Sequence, residues 1–116
     1  MTAIPVTEVN NLSLFYSIIE EGNLQQKESK DNATDGKHYV TVIMNDGGDI
    51  GTTINNYEDS KTYASEDRAN YPVGWTISPS LYDYASPIMS YLYNNMTDNE
   101  HFVASVSGFA RADLNV

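Results

Sequence analysis

The chain contains no cysteine, which excludes disulfide staples, thiolate nucleophiles and cysteine-ligated zinc. Basic residues are also scarce. Six Lys and Arg stand against sixteen Asp and Glu, giving a formal net charge of −10, and neither Lys nor Arg occurs between Ala69 and Ala110. A nucleic-acid binder needs a basic stripe to displace counterions from phosphates, so nucleic acid is excluded as a partner. Insertion into or attraction to an anionic membrane is disfavoured on the same ground. No apolar run approaches the ~20 residues that span a bilayer. No basic stretch leads into an apolar one at the N-terminus, as it would in a signal peptide.

What is present suits one modest core. The sequence has 116 residues, 41% of them hydrophobic, enough for a single α/β domain or fragment but too apolar for a disordered chain. The acidity is read as a solvated surface rather than as a cation site. Nine tyrosines offer flat faces and hydroxyls suited to sugar, although half-buried strand and helix positions use tyrosine equally well.

Residues 7–21 carry Val9, Leu12, Phe15, Ile18 and Ile19 at helical spacing, with Gly22 as a stop. Residues 23–37 are nearly all polar and read as a flexible connection, with Asp35-Gly36 as a turn. The apolar run at 38–44 (HYVTVIM) shows little alternation and predicts a strand buried on both faces, as in a parallel sheet. A short helix is expected over 50–56, and a second strand over 71–77, with Pro72 at its entry. Ser78-Pro79 then reads as an N-cap and first helical residue. Ser86-Pro87 repeats the signal, so the spacing predicts two short helices, 79–84 and 87–95, with Ile88, Met89, Leu92 and Met96 as the buried stripe of the second. A third strand follows at 101–106. The expected fold class is α/β, a mostly parallel sheet with alternating helices, resembling part of a β/α barrel or a reduced three-layer domain.

In such sheets ligands bind beyond the carboxyl ends of the strands. Here those ends are Asn45-Asp46-Gly47-Gly48-Asp49, Ser78, and Ser107-Gly108. Asp46 and Asp49 are the candidate catalytic carboxylates, because glycoside hydrolysis uses two of them; a turn aspartate that caps the next helix is the competing reading. Gly47, Ser78, Ser107 and Gly108 are the candidate substrate-binding positions. His38 and His101 stand at strand beginnings, on the opposite edge, which argues for solvated or structural roles. Trp75, inside a strand, is expected to pack in the core. No cofactor is called for. Ca²⁺ is the one metal to weigh, but counted from Asp46 the third and fifth positions are Gly48 and Ile50, which fails the EF-hand pattern.

The pieces VTVIMNDGGD, GWTISPSL, SPIMSYLYNN and HFVASVSG, in this order and spacing between Tyr39 and Gly108, resemble the GxGYxYP family of putative glycoside hydrolases. The resemblance implies a β/α-barrel-like catalytic domain in the full family, and a secreted or cell-surface setting. It carries over Asp46, Gly47, Ser107 and Gly108. Two departures stand out. An additional glycine separates Asp46 from Asp49, and Phe109-Ala110-Arg111 follows Gly108 where the family continues toward tyrosine-proline. The expected function is carbohydrate binding or processing. The alternative is a non-catalytic structural or protein-interaction module that has lost the site. A homo-oligomer that completes the sheet with a neighbouring copy is also expected as a way to close an open strand edge.

Overall fold

The computed structural model describes residues 12–26, 28, 32–44, 49–57, 61 and 63–105. The elements in chain order are α1 (Leu12–Ser17), β1 (Ile43–Met44), α2 (Ile50–Asn56), a 3-10 turn (Glu66–Asn70), β2 (Val73–Ile77), α3 (Leu81–Asn94) and β3 (Glu100–Ala104). The strands form one open sheet in the order β1-β2-β3. Both pairings are parallel, with Ile43 opposite Gly74 and Trp75 opposite Phe102. Strands joined through helices leave no other economical topology, so the α/β class and the parallel sheet are as expected.

The helix break at the second serine-proline pair is also present. Within α3 the backbone leaves helical geometry at Ala85 (φ −153°, ψ 62°). Pro87 has no amide hydrogen to donate, and its ring excludes the carbonyl four residues back. The freed Ser86 hydroxyl is put to use. It accepts from the amide of Glu20 at 2.9 Å and donates to the carbonyl of Ile18 at 3.1 Å. This capture accounts for a correction at α1. The helix stops at Ser17 rather than reaching 21, and Ile18 and Ile19 are exposed.

The start of α3 is corrected as well. The helix begins at Leu81, two residues beyond the expected start, and the carbonyl of Ser78 accepts from the amide of Leu81 at 3.0 Å. Ser78 therefore enters the helix through its backbone, while its hydroxyl bonds to Ser80.

The core lies on one face of the sheet. Leu81, Ala85, Ile88, Met89 and Leu92 of α3 meet Ile50 and Ile54 of α2, Tyr63, Ile77 and Phe102. The recurrence of apolar residues every three or four positions along α3 produces that stripe. Gly22 permits the chain after α1 to lie against α3, since a Cβ there would stand 2.6 Å from Ser90 Oγ.

The main disagreement concerns residues 38–44. They form a strand only at Ile43–Met44, and Tyr39, Val40, Val42, Ile43 and Met44 are all exposed. A parallel sheet hides both faces when helices cover both. Among the described residues the buried core takes in only the face that carries Ile77 and Phe102, and β1 is an edge strand. The composition of the run reports a capacity for burial that the described residues do not fulfil.

Candidate functional site

The carboxyl ends of the three parallel strands, at Met44, Ile77 and Ala104, fall along one edge. Thr76 Oγ1 donates to the carbonyl of Met44 at 3.0 Å, tying the first two ends together. The amide of Ser105 donates to the carbonyl of Ile77 at 3.1 Å, tying the second to the third. Ser78 and Ser105 are thus the first residues beyond neighbouring strand ends.

Their hydroxyls differ in state. Ser78 Oγ lies 2.7 Å from Ser80 Oγ, and both serines are buried. Ser105 Oγ is also buried but has no hydrogen-bond partner. A buried hydroxyl without a partner loses its hydration with nothing in return, about 1–3 kcal/mol, so it is a position where a further polar group would be favourable.

Asp49 is exposed and stands just before α2. One carboxylate oxygen accepts from the amide of Gly51 at 2.9 Å and from that of Thr52 at 3.4 Å. Its carbonyl accepts from the amide of Thr53 at 3.0 Å. An aspartate at this position satisfies amides that the first helical turn leaves unpaired. Asp46, Gly47, Ser107 and Gly108 lie outside the described residues.

The other edge carries the polar cluster that composition did not reveal. Glu100, the first residue of β3, is 1% exposed. Its Oε1 accepts from the indole Nε1 of Trp75 at 2.8 Å, and its Oε2 accepts from the amide of Thr97 at 2.7 Å. Arg68 Nε lies 3.5 Å from Oε1. The same guanidinium donates to the carbonyls of Tyr63, at 2.6 Å, and Asn95, and it sits 4.0 Å above the Tyr63 ring. Burial pushes the Tyr63 hydroxyl up to about 12, with Arg68 opposing the rise, and that hydroxyl donates to the carbonyl of Leu92.

Both carboxylate oxygens of Glu100 are satisfied, although the buried Thr97 hydroxyl has no partner, and the strand beginnings the cluster occupies lie opposite the edge where ligands bind in parallel sheets. It is a structural network. The sequence signal that could have found it is the single arginine of residues 63–105 preceding the single tryptophan of the chain.

His38 is exposed and precedes β1; His101 is half-buried near the start of β3. Trp75 packs against the core. Among the described residues no three His, Asp or Glu side chains gather as metal ligands, and no helix is long and apolar enough to cross a membrane.

Among solved structures, the chain is similar to a putative hydrolase from Bacteroides thetaiotaomicron VPI-5482, determined at 1.25 Å resolution. The two are 32% identical with a TM-score of 0.68, over 84% of this chain and 19% of that one. The chain therefore spans about a fifth of the length of that relative. No curated protein matches it. The family model of the GxGYxYP putative glycoside hydrolase C-terminal domain matches residues 36–110. That interval runs from the turn at Gly36, through all three strands, to beyond the end of β3, and the chain belongs to this family.

Proposed function

We propose that the carboxyl edge of this sheet binds carbohydrate and forms one wall of a glycoside-processing site. The observation that carries the reading is the row of small hydroxyl residues just beyond the strand ends, where Ser105 Oγ is buried without a partner. Family membership supports it. Sugars are recognised through many hydroxyl–hydroxyl and hydroxyl–carboxylate hydrogen bonds, and glycines beside such residues let a ring approach the backbone. In this reading Asp46 is the acid, base or orienting carboxylate, while Gly47, Ser78, Ser107 and Gly108 shape the same surface. A secreted or cell-surface setting, where polysaccharides are met, goes with it.

A second reading is a module that keeps the fold without the chemistry. It is favoured by Asp49, whose carboxylate caps α2 and so does not stand ready as the second carboxyl group of a hydrolase.

The test is an amide NMR titration of the chain with a panel of oligosaccharides, followed by reducing-end release assays on whichever glycan binds. Shifts concentrated at Ser78 and Ser105, with turnover abolished in Asp46→Asn, would support catalysis. Binding that survives Asp46→Asn without turnover in either protein would support the module. No shift with any glycan would remove the carbohydrate reading.

A further inference from the structure

The two edges of the sheet are not equivalent. On the outer side of β3, the Gln26 side chain imitates a neighbouring strand. Its Nε2 donates to the carbonyl of Phe102 at 3.0 Å, and its Oε1 accepts from the amide of Phe102 at 2.7 Å. That edge is closed to a further strand at its middle residue. On the outer side of β1 nothing comparable is present among the described residues. The amide of Gly74 donates inward to the carbonyl of Val42 at 2.9 Å. With Ile43 opposite Gly74, strand alternation turns the amide and carbonyl of Ile43, and those of Thr41, outward. The same stretch exposes Tyr39, Val40, Val42, Ile43 and Met44, Val40 to 89%.

We infer that this edge is an interface with a second copy of the chain, formed by two-fold antiparallel pairing of residues 40–44. Three observations favour that occupant. First, with β3 closed at Phe102 by Gln26, the described residues leave one open edge per copy, so edge pairing ends at two copies rather than growing into a fibre. Second, residues 38–44 contain no Asp, Glu, Lys or Arg, although the chain carries a net charge of −10, so the seam joins the copies through an uncharged stretch. Third, the outward positions of Thr41 and Ile43 define a register. Thr41 pairs with Ile43 of the second copy through backbone hydrogen bonds, and the two-fold axis passes beside Val42. Val42 then meets its own symmetry mate, and Val40 meets Met44, each an apolar cross-strand pair. The result is a six-stranded sheet with one antiparallel seam at its centre. This inference does not depend on the carbohydrate reading.

The absence of cysteine makes the test direct. Sedimentation of the full chain should give twice the 12.9 kDa mass of one chain, returning to one chain in Val42→Lys. Val42 is exposed, and its backbone carbonyl, which accepts from the Gly74 amide, is kept by any side chain, so that variant should keep its circular dichroism spectrum. In a second experiment, Val42→Cys should oxidise to a disulfide-linked dimer, because side chains at such a seam position lie close enough for a bridge. Tyr71→Cys, at another exposed position, should not. Overturning results are a single-chain mass at every concentration, a dimer that survives Val42→Lys, or equal cross-linking through Tyr71→Cys.

Discussion

Replacing Glu100 by glutamine changes one atom's chemistry at a charged residue that is 1% exposed. The carboxylate has donors on both sides. One oxygen faces the indole of Trp75, with Arg68 3.5 Å away, and the other faces the amide of Thr97 at 2.7 Å. A glutamine can keep its oxygen toward Trp75 and Arg68 only by turning its NH₂ group onto the Thr97 amide, donor against donor. The reverse orientation sets NH₂ against two donors and is worse. The better orientation loses one hydrogen bond to a charged acceptor, about 1.5–3 kcal/mol, and leaves buried donors unpaired. It also removes the charge that faces Arg68, whose side chain is 15% exposed. Removing one partner of a buried ion pair costs about 3–5 kcal/mol. The cost expected for Glu100→Gln is therefore about 3 kcal/mol, or a fall in Tm of about 10 °C for a domain of this size. A hydrophobic replacement of both Glu100 and Arg68 need not cost as much, since burying the pair carries its own desolvation penalty. Urea unfolding followed by circular dichroism measures the free energy. Fluorescence reads the site itself, because Trp75 is the only tryptophan and its indole would lose a charged acceptor. A variant within about 0.5 kcal/mol of the parent, with unchanged tryptophan emission, would refute the reasoning.

Other substitutions test other parts of the fold. Gly22→Ala puts a Cβ 2.6 Å from Ser90 Oγ and 3.3 Å from Ser90 Cβ, so overpacking of about 1–3 kcal/mol is expected. Ser90→Gly in the same chain should recover part of that loss, and a double-mutant cycle in urea would show the coupling. Ser90→Ala alone should leave stability unchanged or raise it, because the buried hydroxyl has no partner. Asp49→Ala should cost about 1 kcal/mol through loss of the α2 cap, and Asp49→Asn much less; equal losses would contradict the capping role. Alkaline titration tests Tyr63. Its hydroxyl is raised to about 12 from an ordinary 10, so its contribution is complete below pH 10 and is lost as pH rises through 12. The loss amounts to at most about 2–3 kcal/mol. Tyr63→Phe should forfeit the bond to the Leu92 carbonyl at neutral pH and flatten the decline between pH 10 and 12; an unaltered slope would assign it to other groups.

The elements that follow from neighbours in sequence were legible in the residues. The bounds of α2, opened by Asp49, and the break at Ser86-Pro87 depend on capping and on a missing amide hydrogen, which act within one turn. The alternation of apolar strands with helical stripes was enough for parallel pairing, and thus for locating the edge that carries Asp49 and Ser78, although β3 ends at Ala104 rather than at 106, which makes Ser105 the first residue beyond it. Asp46 and Ser107, which the sequence reading expects at that edge, lie outside the described residues.

Tertiary structure decided the rest. Whether Val40 or Ile43 is buried depends on what lies over the sheet and beside β1, and nothing in HYVTVIM encodes the position of β1 at an edge. Ile18 and Ile19 fit a helical stripe, yet the hydroxyl of Ser86, more than sixty residues away in sequence, ends the helix before them. Glu100 is charged and flanked by polar residues, so local composition places it at the surface. Trp75, Thr97 and Arg68 converge on it only once β2 and β3 are paired. Short-range physical chemistry determined which elements form and in what order. Burial, edges and matched polar contacts arise between segments distant in sequence, and those were settled only when the sheet was assembled.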